Sequence, residues 1–212
     1  MLAKGRVAAA FERVRRSIAM MAPAGSYRVD REHWIEGVRR VPSPNCDARP
    51  EPDDISLVVL HGISLPPGRF GAGLVDDFFT NCLDCTRDPT LADLAGVRVS
   101  AHAFIDRDGA ITQYVPFDLR AWHAGASSFR GRARCNDFSI GIELEGVDDR
   151  PYADAQYEAS IALIRALFAA YPRIALAGVV GHADVAPGRK TDPGPAFDWV
   201  RLMHGLCAAA RA

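Results

Sequence analysis

The chain has 212 residues, of which 49% are hydrophobic, 24% charged and 8% aromatic, a composition typical of a globular protein with a substantial core. Its formal net charge of -1 excludes the strongly basic surface of most nucleic-acid-binding proteins. No segment approaches the roughly 20 consecutive apolar residues of a membrane span. We therefore expect neither a nucleic-acid partner nor stable membrane insertion.

The N-terminal segment differs from the rest of the chain, because its first twenty residues combine an excess of basic residues with apolar residues near helical spacing. This pattern is compatible with a basic amphipathic helix that has a transit or membrane-surface role, but an upstream-started reading frame or a disordered leader is the simpler explanation. Without the continuous apolar stretch of a secretory signal, the segment favours a cytoplasmic location. We predict an N-terminal extension over residues 1–29, flexible or helical, and one catalytic domain over residues 30–212.

The first half of the predicted domain contains a strand, a short helix and a hairpin. A β-branched, nearly continuous apolar run predicts a buried strand over residues 55–60 that ends at His61. A short helix is predicted over residues 74–79. Residues 97–105 and 111–115 flank an Asp-Arg-Asp-Gly turn, which indicates a β-hairpin.

The second half alternates strands and helices. Residues 138–145 form a predicted strand that places Gly141, Glu143 and Glu145 on one face. Asp154 is the predicted cap of a helix that ends before Pro172. A short strand over residues 179–182, a loop rich in proline and glycine, and a helix from about residue 197 complete the chain. This order predicts a single α/β domain with a mixed β-sheet flanked by helices.

The five cysteines, Cys46, Cys82, Cys85, Cys135 and Cys207, are odd in number and scattered, so we expect reduced thiols. Cys82 and Cys85 have C-x-x-C spacing. They lack the second pair of a structural zinc site and the strand-to-helix context of a redox motif. A variable loop is therefore the favoured interpretation of this stretch.

Candidate metal ligands lie at the ends of two predicted strands, where a sheet presents functional side chains. His61 and His182 each close an apolar strand, and Asp192 follows His182 in a stiff loop. Two imidazoles and one carboxylate make up the ligand set of an open catalytic zinc site. The spacing alone also fits two structural histidines.

Glu143 is the candidate general base for such a site, because Gly141 on the same strand face leaves space for a substrate. Glu145 competes for this role, and a surface carboxylate or an ion pair is the simpler alternative. Lys190 lies two residues before Asp192 and is a candidate for stabilising a developing oxyanion, although an unplaced lysine is usually only solvated. Arg98, Arg132 and Arg134 are candidates for binding substrate carboxylates, with Arg132 the weakest of the three.

Several segments together resemble the type 2 zinc N-acetylmuramoyl-L-alanine amidases, a family similar to peptidoglycan recognition proteins, and within it the cytoplasmic AmpD-type amidases that act on 1,6-anhydro-muropeptides. The resemblance covers nearly all of the chain after residue 30. It is carried by RRVPSPN (39–45), LHGISLPPG (60–68), RVSAH (98–102), QYVPF (113–117), AWHAG (121–125), CNDFSIGIELEG (135–146), GHADVAPGRKTDPGP (181–195) and FDW (197–199).

The resemblance implies that His61, His182 and Asp192 bind Zn²⁺, that Glu143 is the catalytic carboxylate and that Lys190 stabilises the transition state. It further implies that the substrate is contacted by four residues, Arg98, Arg134, Trp122 and His123, the last two as walls of the cleft. The chain departs from the family at Gly62, where asparagine is common, which removes a side-chain hydrogen bond and puts substrate affinity in doubt. It also diverges over residues 82–90.

These observations lead to one main hypothesis. The chain is expected to be a monomeric, cytoplasmic zinc amidase that hydrolyses the bond between the lactyl group of (1,6-anhydro-)N-acetylmuramic acid and L-alanine during peptidoglycan recycling. Two alternatives remain, an amidase on intact exported peptidoglycan and a non-catalytic peptidoglycan-recognition module. A nucleophilic Cys135 assisted by His123 is a weaker idea, because nothing in the sequence indicates a lowered thiol pKa. His102 is interpreted as structural.

Overall fold

The computed structural model describes residues 27–208 of the chain. The predicted extension over residues 1–29 falls almost entirely outside this range, and its helical or flexible character stays a prediction. Over the described residues, no helix combines the length and the apolar character needed to cross a bilayer.

The described residues form a mixed β-sheet with helices against it. The strands are β1 (Arg39–Arg40), β2 (Cys46–Ala48), β3 (Leu57–Ile63), β4 (Ala103–Ile105), β5 (Ile111–Gln113), β6 (Leu119–Ala121), β7 (Ser128–Phe129), β8 (Arg132–Ala133), β9 (Ser139–Glu145) and β10 (Val179–Gly181). The α-helices are α1 (Leu74–Phe79), α2 (Asp154–Ala170), α3 (His182–Val185) and α4 (Trp199–Ala208).

The main sheet has the strand order β1-β5-β4-β9-β3-β10. Neighbouring strands are parallel except for β4 and β5, which form the predicted antiparallel hairpin. Two small antiparallel ladders, β2 with β6 and β7 with β8, lie beside it. The structure therefore confirms the α/β class with a mixed sheet flanked by helices.

The two central strands, β3 and β9, are buried on both faces, which explains their apolar sequences. One face carries Val58 and Leu60 from β3 and the isoleucines of β9, and it packs in a single core with Leu163 of α2 and Leu202 of α4. The opposite face carries the polar residues His61 and Glu143, together with Gly141. Because side chains alternate along a strand, the candidate site lies on the sheet face turned away from α2 and α4.

Several boundaries differ from the sequence-based predictions. The first strand of the hairpin, predicted over residues 97–105, is shorter in the structure, where β4 spans Ala103–Ile105. Strand β3 continues through His61 to Ile63, because parallel pairing with β9 extends over His61, Gly62 and Ile63. Asp154 is the first residue of α2 rather than its cap. The residue before α2 is Ala153, and its backbone N–H donates a 3.0 Å hydrogen bond to the side-chain oxygen of Gln156 in the first turn.

Candidate metal centre and active site

Three predicted ligands, His61, His182 and Asp192, come together at the ends of β3 and β10. The Nδ1 atoms of His61 and His182 lie 2.9 Å apart. Asp192 Oδ2 lies 3.2 Å from His61 Nδ1 and 3.1 Å from His182 Nδ1. Among the described residues, these are the His, Cys, Asp and Glu side chains whose ligand atoms converge as a possible metal site.

Local structure explains how a residue ten positions after His182 returns to it. His182 is the first residue of α3, directly after β10, and β10 runs parallel to β3 beside His61. The backbone N–H of Ala183 donates a 3.0 Å hydrogen bond to the backbone carbonyl of Asp192. The loop that follows α3 is thereby closed onto the start of that helix, as the proline and glycine content of the loop predicted.

Burial and charge give His61 and Asp192 the protonation states that metal binding requires. Burial lowers the pKa of His61 to about 4, so its imidazole is neutral at pH 7. Burial alone would raise the pKa of Asp192, but hydrogen bonds from His182 and His61 outweigh it and hold that pKa below its usual value. The cluster therefore presents a carboxylate beside a neutral imidazole.

The three atoms fit a divalent transition metal. Zinc bonds of about 2.0–2.1 Å to nitrogen or oxygen separate tetrahedral ligands by about 3.3 Å, close to the distances in the triangle. The donor set of two imidazole nitrogens and one carboxylate oxygen is that of an open zinc site. The residues present thus fit the zinc ion that the sequence predicted.

Glu143 lies beside this cluster, in register with His61 across the β3–β9 ladder. Its side chain is buried, and among the described residues its Oε2 atom has no hydrogen-bond partner. Burial raises the pKa of Glu143 well above its usual value, Asp192 raises it further and Lys190 opposes the shift. A buried carboxyl with a free oxygen next to the metal ligands is the arrangement expected of a general base.

Glu145, the predicted competitor for that role, accepts hydrogen bonds from two backbone N–H groups away from the metal cluster. Its Oε1 accepts a 2.5 Å hydrogen bond from the Gly71 backbone N–H, and its Oε2 accepts one of 3.3 Å from the Arg107 backbone N–H. Glu145 thus holds two loops together. Glu143 is the carboxylate of this strand that remains available for chemistry.

Lys190 is exposed on the loop that carries Asp192. Its charge lowers the pKa values of both His61 and Glu143, which places the ammonium group within electrostatic reach of the cluster. Its role in catalysis stays a prediction.

Gly141 does not leave an open space for a substrate, contrary to the sequence-based prediction. A Cβ atom at this position would lie 2.4 Å from Cγ of His123, so the imidazole of His123 fills the space. His123 is half-buried, and its Nδ1 lies 2.9 Å from Nε2 of His61. Its predicted role as a wall of the cleft is untested, but its ring also lies directly behind a metal ligand.

Gly62 has a packing role that the sequence did not indicate. A Cβ atom here would lie 2.4 Å from the hydroxyl oxygen of Tyr152, which donates a 2.9 Å hydrogen bond to the Pro193 carbonyl. Alternation along β3 turns this position away from the face that carries His61. The effect of Gly62 on substrate affinity stays a prediction.

The other predicted substrate-binding residues lie outside the cluster. Trp122 is half-buried, and its Nε1–H donates a 3.2 Å hydrogen bond to Asp47. Arg134 is exposed and pairs with Asp137 at 3.1 Å. Arg98 is exposed at a separate cavity lined by residues that include Phe78 and Leu94. Substrate contacts by these three residues remain predictions.

Two further predictions concern cysteine and histidine. All five cysteines are free thiols, as expected. Burial raises the pKa of the Cys135 thiol, which argues against the hypothesis of a cysteine nucleophile.

His102 is fully buried, its Nδ1 accepts a hydrogen bond from the Gly141 backbone N–H, and its Nε2 lies 3.1 Å from the Leu119 carbonyl. These contacts are those of a structural histidine.

The sequence analysis did not find the residues that support the metal ligands from behind, namely Ala124, Asn136, Ser139, Tyr152 and Arg189. Some of them lie in the recognised segments 121–125, 135–146 and 181–195. Nothing in the local sequence distinguishes these residues from their neighbours, because their contacts form only when the chain folds.

Comparison with known proteins identifies the family of the chain. The family model Amidase_2, described as N-acetylmuramoyl-L-alanine amidase, matches residues 51–195. The 1,6-anhydro-N-acetylmuramyl-L-alanine amidase AmpD of Escherichia coli K12 is 58% identical over 169 residues, covering 80% of this chain and 92% of that protein. The protein of the same name from Haemophilus influenzae is 53% identical over 79% of this chain and 91% of its own length.

Solved structures show the same relationship. A crystal structure of a selenomethionine AmpD derivative superposes with a TM-score of 0.80 at 55% identity, covering 82% of this chain and 97% of the other. The amidase AmiD from E. coli, in complex with anhydro-N-acetylmuramic acid-L-Ala-D-γ-Glu-L-Lys, matches with a TM-score of 0.54 at 34% identity, over 84% of this chain and 65% of that one. The chain therefore belongs to the N-acetylmuramoyl-L-alanine amidase family, and it is an AmpD-type enzyme of that family.

Proposed function

We propose that this amidase is zinc-dependent and cleaves the amide bond between the lactyl group of 1,6-anhydro-N-acetylmuramic acid and L-alanine in muropeptides. The observation that carries the proposal is the convergence of His61, His182 and Asp192 beside the buried, partly unpartnered Glu143. The substrate class follows from the names of relatives that are more than half identical to the chain.

The proposed mechanism assigns a separate task to each group. His61, His182 and Asp192 would hold the zinc ion, which when bound supplies a Lewis acid for the amide carbonyl and lowers the pKa of a water molecule toward 7. Glu143 would accept the proton of the attacking water at its free Oε2 atom. It would then return that proton to the departing L-alanine nitrogen.

Lys190 would contribute positive charge where the carbonyl oxygen becomes negative. Its effect on the pKa values of His61 and Glu143 supports a position close enough to act. Arg98 and Arg134 would bind substrate carboxylates, and Trp122 would form part of the cleft. A cytoplasmic location, a role in peptidoglycan recycling and a monomeric state belong to the same proposal, and they follow from the resemblance rather than from the site.

Mass spectrometry of reaction products tests the proposal. The zinc-loaded protein is incubated with an equimolar mixture of anhydro-muropeptides and ordinary muropeptides, with Glu143→Gln protein as the matched control. Release of free peptide mainly from the anhydro species is the expected result. Equal cleavage of both would instead indicate an amidase acting on intact peptidoglycan, and binding without cleavage would indicate a recognition module.

A further inference from the structure

The Nε2 atoms of both proposed metal-binding histidines contact two consecutive residues, His123 and Ala124. Nε2 of His61 lies 2.9 Å from Nδ1 of His123. Nε2 of His182 lies 3.2 Å from the backbone carbonyl oxygen of Ala124. Two ligands that are 121 residues apart in the chain therefore share one short support.

Proton positions follow from this geometry. A histidine that binds a metal through Nδ1 carries its proton on Nε2, so both imidazoles present an N–H to the segment behind them. With zinc on both Nδ1 atoms, the N–H of His182 would donate to the Ala124 carbonyl. The N–H of His61 would donate to Nδ1 of His123, whose own Nε2–H would then donate to Ser139 Oγ, 3.1 Å away.

The segment is itself fixed by residues from other parts of the fold. Oδ1 of Asn136 accepts hydrogen bonds from the backbone N–H groups of His123 and Ala124, at 3.2 and 2.7 Å. The guanidinium group of Arg189 donates to the carbonyl oxygens of Ala124 and Ala126, at 2.5 and 2.8 Å. Asn136 therefore holds the N–H groups of this segment, and Arg189 holds its carbonyl groups.

The His123 ring packs against strand β9. Ser139, Gly141 and Glu143 alternate onto the same face of this strand. Ser139 bonds the ring, and the missing side chain of Gly141 makes room for it, since a Cβ atom there would lie 2.4 Å from His123 Cγ. One strand therefore positions both the proposed base and the support of a metal ligand.

We infer that His123 and Ala124 form a shared brace, which fixes the tautomer and the ring orientation of both metal histidines. In this role His123 is a positioning residue that acts through His61. The inference rests on the proposed zinc site. It predicts that zinc affinity depends on the hydrogen-bond acceptor at position 123 rather than on the volume of the side chain.

Two substitutions at position 123 separate these contributions. His123→Asn places an amide oxygen near the position of Nδ1, while His123→Phe keeps the ring volume and removes the acceptor. Zinc affinity is measured by competition with a fluorescent chelator, and folding is checked by circular dichroism. Loss of a partner behind a metal ligand typically costs about 10–100-fold in affinity, so we expect that loss for His123→Phe and only a few-fold loss for His123→Asn.

A matched pair of buried serines tests the far end of the relay without altering the ring. Ser139 and Ser160 are both fully buried, but Ser160 bonds only the Gln156 carbonyl within α2. We expect Ser139→Ala to weaken zinc binding several-fold and Ser160→Ala to leave it unchanged. Equal affinities of His123→Phe and wild type, or of Ser139→Ala and Ser160→Ala, would overturn the inference. Absence of zinc binding by the wild-type protein would instead refute the proposed function.

Discussion

Glu143 and His61 lie directly opposite each other across the β3–β9 ladder, with their side chains on the same face of the sheet. Parallel pairing therefore places a buried carboxyl beside the metal cluster without any contribution from a loop. On its other side Glu143 is in register with Phe104 of β4, so it lies on a strand that is paired on both edges. Two paired strands thus fix the position of the proposed general base relative to a proposed metal ligand.

Glu143→Gln should abolish most of the activity while leaving the metal in place. The amide keeps the shape of the buried side chain but cannot accept a proton, and loss of a general base costs about 10²–10⁴-fold in rate. Turnover and bound zinc are measured on the same sample. Glu145→Gln is the control, because Glu145 bonds backbone N–H groups and should affect turnover much less. Near-normal turnover by Glu143→Gln would show that another group is the base.

His182→Ala should lose both the metal and the activity. Only two of the proposed ligands would remain, and the Ala124 carbonyl would keep only its hydrogen bond from Arg189. Zinc content after dialysis is measured by atomic absorption. His204→Ala on the exposed side of α4 is the control and should keep full zinc content. If His182→Ala retained stoichiometric zinc, the proposed ligand set would be wrong.

Tyr152→Phe should weaken zinc binding although it changes no ligand. The hydroxyl of Tyr152 holds the carbonyl of Pro193, the residue after Asp192, so its loss loosens the loop that delivers the carboxylate. We expect a stability loss of about 1 kcal/mol and a few-fold loss of zinc affinity. Tyr157→Phe is the control, since the Tyr157 hydroxyl accepts from Asp198 N–H. Equal zinc affinity in the two variants would contradict the prediction.

Asp47 should contribute to stability at neutral pH but not in acid. Hydrogen bonds from Arg120 lower the pKa of Asp47 below 3.8, so the folded state favours its ionised form. That stability is present above pH 3.8 and is lost as the pH falls through the lower, folded-state pKa. Melting temperatures of the wild type and Asp47→Asn should therefore differ near neutral pH and converge below pH 3.8. A difference that persists in acid would assign the effect to something other than charge.

Leu163→Ala should be among the more destabilising single changes in the domain. Leu163 of α2 is fully buried against the sheet face that is opposite the site, and removing such a side chain typically costs about 2–5 kcal/mol. Urea unfolding measures the change. Val200→Ala on α4, where the side chain is 80% exposed, should have almost no effect.

The elements that the sequence predicted are those whose signal is local. Helix α2 has an apolar stripe at helical spacing over 17 residues, and β9 alternates over seven, so each pattern identifies its element without knowledge of the rest of the fold. The short strands β2 and β6 were missed. Each has three residues, and what makes them strands is their pairing across about 70 positions of sequence, from Cys46 to Ala121.

The sequence by itself determined which candidate groups are present, two imidazoles at the ends of apolar strands and a carboxylate in a stiff loop, and the family resemblance assigned them their expected roles. Only the tertiary structure decided which groups are free to react and which are held. Glu143 and Glu145 look equivalent in the sequence, yet Glu145 accepts backbone hydrogen bonds, whereas one oxygen of Glu143 has no hydrogen-bond partner within residues 27–208. Gly141 and His123 likewise form one unit only through packing, since hydrogen bonds and burial depend on neighbours that the chain brings together only when it folds.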